Sequence, residues 1–248
     1  MSAIRLGTRA STLATTQSEM VARLLRSEGL DVDLTTITTH GDTSTASLAA
    51  MGGIGVFASA IRATLLKGEA DIAVHSFKDL PTGRPLGLAI GAVPARADPR
   101  DALVARDGLT LHDLPQEASV GTGSPRRAAQ LLAVRPDLTI VDIRGNVDTR
   151  LGRVKGLGHY AKGGGKEDLD AVVLAASGLA RLGHSGTVTE FLDPSVVLPA
   201  PAQGALAVEC RTADSRHGKL AKALARIDDR RTRLAATAER AVLSHLEA

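Results

Sequence analysis

An α/β protein of two similar domains is predicted, on three observations. Short β-type runs alternate with helix-type runs along the chain. A strand–Gly-Thr–helix opening occurs twice, at Gly7-Thr8 and at Gly121-Thr122. Two Pro-rich crossings, near residues 94–100 and 199–204, imply that the chain leaves the first domain and later returns. Such a layout places a ligand site in the cleft between the domains, facing the C-terminal ends of strands.

Ile4 to Thr8 alternates as a strand, and Ser11 can cap a helix whose apolar face is Leu13, Met20, Val21, Leu24 and Leu25, closed by Gly29. Val32 to Thr39 is β-branched and reads as the second strand. Gly52-Gly53-Ile54-Gly55 then opens a helix carrying Phe57, Ile61 and Leu65, which stops at Gly68. Asp71–His75 and Leu86–Val93 read as short buried strands. After the first crossing, a strand ends at Ser119-Val-Gly-Thr122, and Ser124-Pro125 starts a helix with Pro where its missing N–H costs nothing. Strands follow at Leu138–Ile143 and Asp170–Ala175, the latter leading into a short helix from Ser177 to Leu182. After the second crossing comes the strand Ala205–Cys210, and the chain from Asp214 reads as helical and Arg-rich to Ala248.

Composition narrows the function. The chain is 44% hydrophobic but 2% aromatic, so its core is built from Ala, Val, Leu and Ile, with few rings to stack on bases. Net charge is +3, with 23 Arg against 7 Lys. A GC-rich genome explains that excess, and so does a site that grips carboxylates or phosphates bidentately. The single cysteine, Cys210, excludes an internal disulfide and reads as a packed structural thiol. There is no signal-peptide pattern and no apolar run near the ~20 residues that span a bilayer, so a cytoplasmic protein with no membrane partner is expected.

Position speaks for an anion site. Arg9 and Ser11 follow the first strand; Ser76, Lys78 and Asp79 follow the Asp71–His75 strand. Thr122, Ser124, Arg126 and Arg127 follow the strand that opens the second half, Arg144 and Arg150 follow the next, and Arg181 follows the short helix after Asp170–Ala175. In an α/β domain such strand ends share one edge, where helix N-termini add backbone donors. Six arginines and a lysine around one acid imply a multiply anionic ligand. Asp79 beside Lys78 is open to two readings, a surface ion pair or an active-site acid.

Other motifs fail. Gly53-Ile-Gly55-Val-Phe-Ala58 and Gly156-Leu-Gly158-His-Tyr-Ala161 fit a loose dinucleotide pattern, but neither directly follows a convincing strand. No Walker A or nucleophile-elbow sequence is present, and the seven His lack metal-ligand spacing, so no metal is expected. His75 and His40 read as satisfied strand-end residues. The basic tail with Arg226, Arg230, Arg231 and Arg233 reads as a solvated face rather than a nucleic-acid site.

Several segments, in order along essentially the whole chain, resemble the porphobilinogen deaminase (hydroxymethylbilane synthase) family. They are Gly7-Thr-Arg9 with Ser11-Thr-Leu13, Asp71-Ile-Ala-Val-His-Ser-Phe-Lys-Asp-Leu-Pro81, Asp98-Pro-Arg-Asp-Ala102, and Val120-Gly-Thr-Gly-Ser-Pro-Arg-Arg127. Ile143-Arg-Gly-Asn-Val147 with Thr149-Arg150, Pro201-Ala-Gln-Gly204 and Ala238-Glu-Arg-Ala241 complete the set. The resemblance implies a monomeric transferase that joins four porphobilinogen units head to tail, losing ammonia each time, in tetrapyrrole biosynthesis. It further implies a covalent dipyrromethane cofactor and two domains like type II periplasmic binding proteins.

By motif, Asp79 would be the catalytic acid. Arg9, Ser11, Ser76, Lys78, Thr122, Ser124, Arg126, Arg127, Arg144, Gly145, Arg150 and Arg181 would bind cofactor and substrate carboxylates, with Gln203 at the interdomain crossing. The expected division is domain 1 over residues 1–97 and 200–222, domain 2 over 98–199, and the start of a third domain over 223–248. Two departures stand out. Ile54 occupies a loop position where many relatives have Lys, and the Gly-Cys attachment motif expected after the Ala-Glu-Arg-Ala helix is not matched, Cys210 lying elsewhere. The expectation is therefore a chain cut before its cofactor anchor, with little or no turnover as it stands. The alternative is a non-catalytic two-domain binding protein for a small polyanion.

Overall fold

The computed structural model describes residues 3–37, 56–83 and 85–246. The loop Gly52–Gly55 and His40 lie outside the described residues. In chain order, β1 (Ile4–Thr8), α1 (Thr12–Ser27), β2 (Val32–Thr36), α2 (Val56–Leu66), β3 (Ile72–Ser76) and β4 (Leu88–Ala92) precede the first crossing. Between the crossings lie β5 (Asp101–Ala105), β6 (Ser119–Gly121), α3 (Pro125–Val134), β7 (Thr139–Val141), α4 (Val147–Leu151), β8 (Ala171–Ala175), α5 (Ala176–Arg181) and β9 (Glu190–Phe191). After the second come β10 (Leu206–Arg211), α6 (Gly218–Ile227) and α7 (Arg230–Leu246).

These elements form two compact units, Met1–Ala97 with Ala205–Ala248, and Asp98–Gly204. The units divide at 97/98 and 204/205.

The first unit holds a five-stranded sheet in the order β2-β1-β3-β10-β4. β1 pairs in parallel with β2 and β3, while β10 runs antiparallel to β3 and β4. The second unit holds a five-stranded sheet in the order β7-β6-β8-β5-β9, with β6 parallel to β7 and β8 and with β5 antiparallel to β8 and β9. The two sheets thus share one topology. In each, the strand running against its neighbours is the one that arrives straight after a crossing. β5 was not foreseen, because Ala102–Ala105 is a short apolar run that periodicity alone cannot assign.

Ser11 caps α1 as expected, its Oγ accepting from Ala14 N–H at 3.4 Å. The buried face of α1 differs from the apolar stripe. Val21, Ala22 and Leu25 are buried with the polar Gln17 and Ser18, whereas Met20 and Leu24 are 37% and 42% exposed. Hydrogen bonds make the polar burial tolerable: Ser18 Oγ donates to Thr8 Oγ1 at 2.8 Å, and Gln17 reaches Ser76. Val21, Ala22 and Leu25 pack on Leu6, Ile72, Val208 and Leu224 to form the core of the first unit. Cys210 belongs to that core, fully buried, and burial pushes its thiol up to about 11, which suits packing rather than reaction.

The helical tail is two helices. Asp228 accepts from Val93 N–H at 2.7 Å, and Asp229 caps α7 by accepting from Thr232 N–H at 2.7 Å, which breaks the chain between α6 and α7. Among the described residues, no helix is long and apolar enough to cross a membrane.

Candidate active site

In the first unit, β1 and β3 are parallel neighbours, so the segments after them lie on one sheet edge. That edge carries Arg9 and Ser11 after β1, and Ser76, Lys78 and Asp79 at the end of β3. Lys78 and Asp79 sit in a single 3-10 turn, Phe77–Asp79. Phe77 is buried, Lys78 half-buried and Asp79 exposed, so the turn anchors itself through its ring and presents its carboxylate to solvent. Phe77 N–H donates to Ala205 O at 3.0 Å, fastening the turn to the segment entering β10. Ser76 Oγ lies 3.0 Å from Gln17 Nε2 and 3.3 Å from Gln17 Oε1. Gln17 was missed from sequence because it lies on the helix face read as polar; its signal was position, two turns beyond Ser11.

Behind this edge, Glu209 of β10 is 1% exposed. Arg62 Nε holds it at 3.0 and 3.1 Å, and His75 Nε2 lies 3.3 Å from its Oε2. Burial disfavours the carboxylate, but His75 and Arg62 outweigh burial and keep it below the usual range. His75 thus lies buried near the end of β3 beside Glu209, with its Nε2 making no hydrogen bond among the described residues, so the reading of it as satisfied does not hold.

In the second unit, β6, β7 and β8 are parallel, and their C-terminal edge gathers the remaining candidates. Thr122 is buried, and its Oγ1 accepts from Ser124 N–H at 3.2 Å, shaping the turn into α3. Arg144 is exposed and 3.5 Å from Asp142. Gly145 has φ +102°, a left-handed conformation that suits glycine, and its carbonyl accepts from Arg150 Nε at 2.8 Å.

Two of the six arginines turn inward. Arg126 Nη2 and Arg127 Nη2 each reach a different oxygen of Asp101 at 2.6 Å, and Arg126 also donates to Leu198 O. Gln203 is fully buried and donates from Nε2 to Asp101 at 2.8 Å and to Pro99 O at 2.7 Å. Burial works against the Asp101 carboxylate, yet Arg127 and Arg126 prevail and hold its pKa below the ordinary value. Asp101 was not singled out from the sequence; the signal was a charge opening an apolar strand directly after a crossing.

Arg181 behaves differently. Its Nη2 donates to Gly204 O at 2.7 Å, its buried Nε has no hydrogen-bond partner, and among the described residues no carboxylate pairs with it. Burial alone lowers its pKa to about 10. A desolvated guanidinium without a counter-ion is a ready receptor for an incoming carboxylate.

Residues 4–219 match the family model described as porphobilinogen deaminase, dipyromethane cofactor binding domain. A porphobilinogen deaminase of Cutibacterium acnes is 97% identical over 248 residues, covering 100% of this chain and 74% of that protein. Another, from Micrococcus luteus, is 56% identical over 267 residues, covering 100% of this chain and 71% of that protein. Among solved structures, an ABC transporter periplasmic substrate-binding protein from Coxiella burnetii aligns with TM-score 0.53 at 16% identity, over 94% of this chain and 95% of its own. A nutrient-binding protein from Burkholderia cenocepacia, bound to methionine, aligns with TM-score 0.51 at 16% identity, over 90% and 91%. At such identities these two likenesses carry the fold alone, and they match the expected architecture. The family match spans most of the chain, and on it the chain belongs to the porphobilinogen deaminase family.

Proposed function

We propose that Asp79 is the reacting acid of this hydroxymethylbilane synthase, and that the cationic strand ends bind the carboxylates of its ligands. The family reaction is a transferase step of tetrapyrrole biosynthesis, in which porphobilinogen units are joined head to tail with loss of ammonia. Each unit carries an acetate and a propionate, so the growing chain accumulates negative charge. Loss of ammonia leaves a cation beside the pyrrole ring. An exposed carboxylate on a fixed turn can stabilise that cation and handle the pyrrole N–H proton.

The family's dipyrromethane cofactor fits the donors present. Its carboxylates suit Arg181, whose guanidinium is desolvated and pairs with no carboxylate among the described residues, together with Arg144, Arg150, Thr122 and Ser124. When bound, it supplies the pyrrole position from which the product chain is extended. Arg9, Ser11, Ser76 and Lys78 are assigned to the carboxylates nearest Asp79. Arg127 and Gln203, buried on Asp101, are assigned to hold the β6 edge in shape. Arg126, 26% exposed, is free to offer a ligand what Asp101 leaves. We take the enzyme to be a cytoplasmic monomer without nucleic-acid or membrane partners, which sedimentation and fractionation check.

The observation that carries this reading is the gathering of Arg9, Ser11, Ser76, Lys78 and Asp79 on one sheet edge in a member of this family. In the holoenzyme, Asp79→Asn is expected to lower porphobilinogen turnover by about 10²–10⁴-fold, the usual range for a positioned acid or base. The cofactor should remain bound. Full turnover in Asp79→Asn would remove the assignment.

A further inference from the structure

We infer that Arg240, on α7, is the positioning residue that sets where Asp79 stands. The inference rests on the reading of Asp79 as the reacting acid. A lone 3-10 turn is weakly held by its own hydrogen bonds. In Phe77–Asp79 the closing bond, Leu80 N–H to Phe77 O, is 3.4 Å long. What the turn lacks internally comes from outside. Arg240 Nη1 donates to Phe77 O at 3.0 Å and to Leu80 O at 2.8 Å, and Nη2 donates to Pro81 O at 2.6 Å. The guanidinium carbon also lies 4.6 Å from the centre of the Phe77 ring. One planar fork therefore ties together the carbonyls on both sides of Lys78–Asp79 and covers the ring that anchors them.

The helix that carries Arg240 is itself fixed. The neighbouring Glu239 is bound by Arg96 at 2.6 and 2.9 Å, and Arg96 N–H donates to Thr232 Oγ1 at 3.0 Å. Ala236 of the same helix is fully buried. The turn with the catalytic carboxylate is thus braced against a helix more than 150 residues further along the chain. Lysine cannot replace the fork: its ammonium is a point charge on a flexible stem.

The test uses the holoenzyme with Arg240→Lys and Arg240→Met, each measured by amide hydrogen exchange and steady-state kinetics. Exchange should rise in residues 77–82 while the β1 and β3 amides keep their protection. The kcat should fall by about 10–100-fold, as expected for a reacting group displaced by about 1 Å. KM for porphobilinogen should stay within about two-fold, since carboxylate binding is not what was removed. Unchanged exchange in the turn, a loosened turn with full kcat, or exchange rising throughout the first unit would each overturn the proposal. Asp79→Asn serves as the separate control. Full turnover there defeats the reading of Asp79, whereas the exchange measurement reports on Arg240 either way.

Discussion

Asp101 has no exposed side-chain surface and still carries a charge, because Arg126, Arg127 and Gln203 surround it. Removing one member of a buried ion pair strands the others, at a cost of about 3–5 kcal/mol. Asp101→Asn, which keeps the shape, is expected to lose stability of that order in urea unfolding at pH 7. The pH dependence has a definite sign. A carboxyl whose folded pKa is depressed stabilises the fold above its unfolded value of about 3.9 and loses that contribution as pH falls towards the folded value. Wild-type stability should therefore drop below pH ~4 more steeply than that of Asp101→Asn. Equal slopes would show that Asp101 is not held ionised. The arginines were legible in the sequence as cations, but their partner was not. Asp101 lies 25 and 26 residues away, on a strand that only the tertiary pairing reveals. Arg181 was legible from its place at the end of the short helix after β8, and among the described residues no carboxylate pairs with it.

At the scale of elements, the two Gly-Thr strand ends are the same device built twice. A Cβ on Gly7 would meet Ile37 Cδ1 at 2.6 Å, and one on Gly121 would meet Leu169 Cδ1 at 2.6 Å and Ile143 at 3.0 Å. Glycine there lets side chains on adjoining elements close over the sheet edge from which the site residues emerge. Gly123 is tighter in kind, because its Cβ would stand 2.6 Å from the backbone oxygen of Ile143, which cannot rotate away. Overpacking costs about 1–3 kcal/mol, less where side chains can yield. Gly121→Ala is expected near the low end of that range and Gly123→Ala near the high end. Calorimetric melting orders the two, and a larger loss at Gly121 would contradict the argument. Most strands and caps were readable because local chemistry decides them, as Ser11 and Pro125 show. The break between α6 and α7 was not, because no Gly or Pro marks it. It depends on Asp228 meeting the backbone of Val93, 135 residues away.

For the whole molecule, the shared topology puts an antiparallel strand that follows a crossing second from one end of each sheet, β10 in the first and β5 in the second. The sequence showed the repetition and the crossings, but strand order depends on pairings such as Val208 with Val74 that no local pattern encodes. The two units differ in how the chain supplies them. The second is one continuous segment, Asp98–Gly204, whereas the first joins Met1–Ala97 to Ala205–Ala248. Both core clusters of the second unit draw only on its own residues, among them Leu103, Leu131, Val173 and Leu192 in one and Ile143, Leu151, Leu169 and Leu179 in the other. A segment of this size with its own sheet and core is large enough to fold alone, with a stability of order 5–15 kcal/mol. Residues 98–204 expressed alone are therefore expected to unfold cooperatively and to give dispersed amide resonances. The first segment, residues 1–97, lacks β10, the strand that pairs with both β3 and β4, and should not do so unless Ala97 is joined to Ala205. A collapsed, non-cooperative 98–204 would mean that this unit's core does not suffice. A well-folded 1–97 would mean that β10 is dispensable to the sheet that presents Asp79.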